Sequence, residues 1–206
     1  YPLKLRFCNL GYKNVTLMDI AKNCGISTGN LNYHFKKKDD LIESIYERYC
    51  REMESLLAKY RVFPDTKAID NQVVVFFKFQ LRYKFLFLDL LEVLRDFPKI
   101  AQSHNHLIQN ELNNAKATID YGVGRGIIKQ EPYPQAYDTL ALSLWTTSAF
   151  WLTQHKVRNL AVNLQDVGEL RRAFWHQLLP FFTEKGIQEL IDYGIVQQKN
   201  GALEIA

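Results

Sequence analysis

Apolar residues along this chain recur at intervals of three and four, and β-branched alternation is scarce. That periodicity belongs to helices with one buried face. Pro64, Pro98, Pro132, Pro134 and Pro180 punctuate the pattern, as do Gly11, Gly25, Gly126 and Gly168. Between them the spacing predicts helices over roughly 2–10, 17–23, 28–34, 39–60, 66–95, 99–124, 135–156 and 166–193, the last kinked at Pro180. No internal repeat or low-complexity run interrupts them. The expected fold class is all-α: an N-terminal three-helix unit over 1–47 and a larger helical body over 48–206.

The stretch Ile20–Phe35, IAKNCGISTGNLNYHF, sets two helix signatures around a turn. Thr16 reads as an N-cap with Asp19 three residues on, close to a capping box. Ile20 and Ala21 face inward, and the small Ala21 lets a second helix cross closely. Gly25 stands where the chain leaves the first helix, because glycine takes the left-handed backbone at low cost. Ile26 is expected to plug the corner and Ser27 to cap the next helix, whose inner face carries Leu31 and Phe35. The outer face shows Thr28, Gly29, Asn30, Asn32 and Tyr33, groups that are short, polar or flat. A helix-turn-helix of this form enters a DNA major groove with its N-terminal residues on base edges.

Charge sharpens that reading. Residues 1–38 hold Lys4, Arg6, Lys13, Lys22, Lys36, Lys37 and Lys38 against Asp19 alone, a net +6 where all 206 residues sum to +4. A basic end on a slightly acidic body is the footprint of a polyanion partner. Composition excludes other classes. No run of eighteen uncharged apolar residues argues for a membrane span. Cys8, Cys24 and Cys50 are odd in number and widely spaced, which favours buried thiols in a reducing cytoplasm over disulfides or zinc. The chain starts at Tyr1 rather than Met, so a few preceding residues are expected. His104 and His106 are two apart, about 200° around a helix, and cannot share a metal from it. Gly122–Gly126 superficially suggests a phosphate loop but follows a helix, and is better read as a helix ending. No nucleophile–base set or carboxylate pair nominates catalysis, and no metal or cofactor is expected.

The ordered elements T-x-x-x-I-A, G-I-S-x-G-x-L, Y-H-F and K-x-D-x-L-I between Thr16 and Tyr46 resemble the DNA-binding domain of TetR-type regulators. Phe7 and Gly11-Tyr12 resemble the end of that family's first helix. More weakly, Arg82–Leu90 is similar to an aromatic-rich segment in one branch, and Gly126-Ile127-Ile128 to a helix ending of the family. The resemblance implies DNA contacts for Thr16, Ser27, Thr28, Gly29, Asn30, Tyr33, His34 and Lys38, with Asn32 and Lys36 on the same surface. His34 and Lys38 would meet phosphates, while Thr28 and Asn30 would reach base edges. One departure stands out: Asn32 occupies a place where the family usually has tyrosine.

A palindromic site needs two recognition helices about 34 Å apart, hence a two-fold homodimer. Leu140, Leu144, Thr147 and Trp151, with Leu170, Phe174, Leu178 and Phe181, form two apolar stripes suited to that interface. The same stripes would also serve the core of a single subunit. Phe76, Phe79, Tyr83 and Phe87 on one face and Phe77, Leu81, Phe85 and Leu88 on another make a helix buried on two sides. Either a filled bundle core or a cavity satisfies them. For a cavity, the expected lining is Phe79, Tyr83, Phe87, Leu91, Leu107 and Trp145, and the resemblance implies a small effector there. The expected function is a transcriptional repressor that binds double-stranded DNA as a homodimer and is released by a small apolar effector. The alternative is an all-α protein-interaction adaptor with non-specific nucleic-acid affinity.

Overall fold

The computed structural model describes residues 11–58, 64–160, 167–199 and 201–206. The helix expected over 2–10 lies outside them, as does Cys8. A 3-10 turn at Tyr12–Asn14 leads into α1 (Leu17–Cys24), α2 (Thr28–His34) and α3 (Lys38–Ala58). The body follows with α4 (Thr66–Arg82), α5 (Lys84–Leu88), α6 (Leu90–Asp96), α7 (Pro98–Gly124), α8 (Ala136–Ala149), α9 (Trp151–Val157), α10 (Gly168–Leu178) and α11 (Glu184–Asp192). The helical class is as the periodicity predicts. A C-terminal hairpin is added, β1 (Val196–Lys199) antiparallel to β2 (Ala202–Ile205), with Val196 opposite Ile205.

Three expected helices are broken. The helix of 66–95 turns at Tyr83 and again at Asp89, where ψ swings to 27° and 14°. The two breaks let Phe85, Leu86 and Phe87, three successive residues, all bury, which one straight amphipathic helix does not allow. The carbonyl of Phe87 is met by the Thr153 hydroxyl at 3.0 Å. The helix of 135–156 ends at Ala149, and the Gln80 amide donates to the Ser148 carbonyl at 2.6 Å beside that end. The helix of 166–193 becomes α10, a 3-10 turn holding Pro180, and α11. Helix α7 ends as expected: the Ile127 N–H donates to the Gly122 carbonyl at 3.0 Å and Gly126 takes φ 72°.

One hydrophobic cluster runs from Tyr12, Ile20, Ala21 and Leu31 through Leu41, Tyr46, Tyr49 and Met53 of α3 to Phe77, Phe79, Phe85 and Val93. A second joins the far end of α7 to α8, α10, α11 and β1 through Ile119, Tyr137, Leu144, Trp175 and Leu190. Half-buried ion pairs tie the second region to α4. Arg125 forks onto Glu189, which also accepts from the Thr66 hydroxyl at 3.0 Å. Asp70 accepts from Arg171 at 2.8 Å and from the Trp175 indole at 2.9 Å. Gly186 is needed at the start of α11, since a Cβ there would sit 2.1 Å from the Ile127 carbonyl oxygen.

The stripes expected to dimerise serve this interior. Leu140, Leu144, Leu170 and Leu178 are buried within the chain. Trp151, Phe174 and Phe181 pack half-buried against the two clusters, and Thr147 accepts from Gln177 at 3.0 Å. Leu140, Leu144, Leu170 and Leu178 are thus taken up by the chain's own core, whereas Thr147, Trp151, Phe174 and Phe181 keep part of their surface open.

Glu52 of α3 accepts from Arg48 at 2.7 Å and from Arg82 of α4 at 2.8 Å. Burial alone would raise its carboxyl, yet hydrogen bonds from Arg48, Arg82 and Tyr83 hold it from the ordinary 4.5 down to about 2. A carboxyl depressed on folding adds stability above its unfolded pKa and loses it as pH falls through the folded value. Relative to Glu52→Gln, the wild type should be more stable by about 1 kcal/mol at pH 7, after discounting for the exposed arginines. That margin should vanish between pH 4.5 and pH 2 in urea titrations; a margin independent of pH would show that the carboxylate charge contributes nothing.

Candidate nucleic-acid interface and cavity

The helix-turn-helix is assembled by local chemistry. Thr16 and Asp19 form the capping box: the Thr16 hydroxyl oxygen accepts from the Asp19 N–H, and the Asp19 carboxylate accepts from the Thr16 N–H, both at 3.1 Å. Gly25 takes φ 68° and ψ 26°, and the Ile26 N–H closes α1 on the Ala21 carbonyl at 3.1 Å. Ala21 is buried where α2 crosses. Ser27 caps α2 by accepting from the Asn30 N–H at 3.1 Å. Ile26 departs from expectation: it is 40% exposed and does not plug the corner.

Gly29, Asn30, Asn32, Tyr33 and His34 are all exposed, with Thr28 half-buried beside them. Tyr33 is 78% exposed, with its ring 5.2 Å from that of His34. A flat polar strip therefore faces solvent along α2, flanked by exposed Lys36. The hydroxyls of Thr16 and Ser27 lie at the edge and already serve the helix caps.

Lys38 differs from the expectation of a free phosphate contact. Its ammonium donates to the carbonyls of Tyr12 at 3.0 Å and Lys13 at 3.1 Å and lies 5.6 Å over the Tyr12 ring. It pins the Tyr12–Asn14 turn to the start of α3. The turn is also held from the body: the Tyr12 N–H donates to Asp89 at 2.9 Å, the Tyr12 hydroxyl donates to Asp96, and Lys13 pairs with Asp96 at 3.2 Å.

Beside the C-terminal half of α3 lies a cavity of about 560 Å³. Phe87, Leu107 and Trp145 line it as expected. Phe79, Tyr83 and Leu91 do not, and that part of the expected lining is corrected. Phe79 and Tyr83 stand behind the wall, their rings 5.2 and 5.4 Å from the Tyr49 ring. Leu91 is 63% exposed, because the break at Asp89 turns α6 away. Tyr46, Tyr49, Met53 and Leu57 of α3 and His104 of α7 line the cavity and were not anticipated. The spacing of the α3 residues by three and four marks a buried face in the sequence, but not the void that they border. The two histidines part company, His104 buried and His106 exposed.

Two family models match the chain. One, described as bacterial regulatory proteins of the tetR family, covers residues 9–45; the other, described as a bacterial transcriptional repressor, covers residues 48–190. The chain belongs to the TetR family. The HTH-type transcriptional repressor KstR2 of Mycolicibacterium smegmatis is 33% identical to it over 60 residues, which is 29% of this chain and 28% of that repressor. The match thus spans well under two-thirds of the relative. A TetR-family transcriptional regulator from Marinobacter aquaeolei VT8 superposes with a TM-score of 0.77 at 22% identity, over 93% of each chain. The fatty acid degradation regulator FadR from Bacillus halodurans gives a TM-score of 0.63 at 17% identity, over 86% of this chain and 91% of that one. These two likenesses speak for the fold. This TetR-family regulator has no helix, among its described residues, long and apolar enough to cross a membrane.

Removing the Lys38 ammonium tests its place in the TetR-type domain. Lys38→Met should cost about 1 kcal/mol through two lost carbonyl contacts and lower the thermal midpoint by about 2–4 °C. An unchanged midpoint in a calorimetric scan would return Lys38 to the free surface.

Proposed function

We propose that this protein is a repressor that binds a palindromic operator as a homodimer and leaves it when a small apolar effector enters the cavity. Residues 1–47 would read DNA, and 48–206 would dimerise and sense. The observation that carries the reading is the joint use of α3. Its first turns pack into the helix-turn-helix through Leu41 and Ile42, and Tyr46, Tyr49, Met53 and Leu57 line the cavity. Asn30 and Thr28 suit base edges, while His34 and Lys36 suit phosphates. Thr16, Ser27, Gly29, Asn32 and Tyr33 complete the surface.

Dimerisation is best supported on the outer face of α8 and α10 rather than on the buried stripes. Leu142 is 49% exposed there, beside exposed Ser143 and Thr146 on α8 and Arg172 and His176 on α10. The Ser143 hydroxyl donates to the Gln177 side chain at 2.6 Å, so the two helices present one continuous face. Two such faces would make a four-helix bundle.

Footprinting on genomic fragments should reveal a protected palindrome with half-sites about 34 Å apart. Asn30→Ala should cost about 1–3 kcal/mol at particular base pairs. Lys36→Ala should weaken every sequence alike and reduce the salt slope by about one. Leu142→Asp should sediment as a monomer and lose the footprint. Uniform protection of all fragments would favour non-specific affinity and end the repressor reading.

A further inference from the structure

The cavity wall holds a buried histidine with one ring nitrogen unmet. His104 is 7% exposed and lines the cavity, with Nδ1 3.0 Å from the Tyr46 hydroxyl. No protein group among the described residues meets its Nε2. The wall is predominantly apolar, with Met53, Phe76, Phe87, Leu107 and Trp145, and its other polar side chains, such as Gln72, Asn114 and Thr118, are neutral apart from Glu111. No arginine or lysine is among the residues of the lining, and its one carboxylate, Glu111, already has an interaction of its own.

We propose that the cavity selects a neutral, predominantly apolar molecule bearing a carbonyl oxygen, which accepts a hydrogen bond from His104 Nε2. The inference rests on the effector reading above and names the chemistry of that effector.

Burial lowers the His104 pKa, so the imidazole is neutral near pH 7 and carries one proton. The tautomer follows from its partner. With the Tyr46 hydroxyl, 3.0 Å away, donating to Nδ1, the ring proton stands on Nε2, the tautomer that the proposal requires. A buried N–H without an acceptor carries a desolvation cost that a carbonyl removes. An alkane leaves the cost standing. A carboxylate would lose its hydration with no cation to meet it and with Glu111 in the same wall, so it is disfavoured. The donor is fastened through Tyr46 to α3, so the recognised group touches the helix shared with the DNA-reading unit.

Calorimetric titration with 2-decanone, decane, decanoate and decyltrimethylammonium tests this on the full chain. The ketone should bind about tenfold more tightly than decane, and both charged analogues more weakly than the ketone. His104→Phe should bring the ketone down to the affinity of decane while decane binds as before. His104→Gln, which keeps an N–H donor, should retain part of the preference. Tyr46→Phe should reduce it by freeing the tautomer. Tighter binding of either charged analogue, or a ketone preference that survives His104→Phe, would overturn the inference. Equal binding of ketone and decane to the wild type would overturn it while leaving an apolar effector in place. Binding of none of the four would sink the sensing function as well.

Discussion

Helix α3 must bury one stripe of side chains against two different neighbours, and the rest of the structure is arranged around that requirement. It has 21 residues, about 31 Å. Leu41, Ile42, Tyr46, Tyr49, Met53 and Leu57 are all buried along it. The first two meet Ile20, Ala21 and Leu31 of the helix-turn-helix, and the others meet the aromatic rings of α4 and α5. Because these contacts belong to a single cluster, the DNA-reading unit has no separate core. The proposed boundary near residue 47 would divide tasks along the chain, but the hydrophobic interior runs across it. Rotation of α3 at the cavity must therefore repack the helices above it, since a close-packed interior transmits displacement rather than absorbing it.

The parts of the fold readable from sequence are those decided within a few residues. Thr16, Asp19, Gly25 and Ser27 act through neighbours three to five positions away, so capping and turn chemistry reveal them. The Asn200-Gly201 dipeptide in the sequence, between the residues that pair as β1 and β2, is an equally local hairpin signal. What could not be read depends on distant partners. Lys38 resembles a phosphate contact until the Tyr12 and Lys13 carbonyls arrive from 26 and 25 residues upstream. The breaks at Tyr83 and Asp89 answer to burial of Phe85 and Phe87 and to the N–H of Tyr12, none of which a local pattern encodes. Apolar spacing also says that a face is buried without saying against what. It placed Phe79 and Tyr83 on the cavity when they back its wall. It assigned Leu144 and Leu178 to a subunit interface when they fill the chain's own core.

Two links, not one, join the cavity to the DNA-reading unit. The first is α3. The second is the segment from Phe87 through Leu90, whose ends line the cavity while Asp89 between them holds the Tyr12 N–H. Burial raises the Asp89 carboxyl and the Tyr12 N–H opposes that rise, so the contact and the charge depend on each other. Helix α6 adds Asp96, which accepts from the Tyr12 hydroxyl and keeps its carboxyl low, with Lys13 alongside. An effector can shift the helix-turn-helix only as far as it binds one arrangement better than the other. Coupling between sites is typically 1–3 kcal/mol, and a single hydrogen bond contributes about 0.5–1.5 kcal/mol net. The Asp89–Tyr12 contact alone is of that size. In the proposed reading, pressure on Phe87 and Leu90 need only lengthen that one bond while Tyr46 moves with α3, and no large rearrangement of the body is required. The breaks between α4, α5 and α6 thus place Phe87 and Leu90 in the cavity wall where the second link begins.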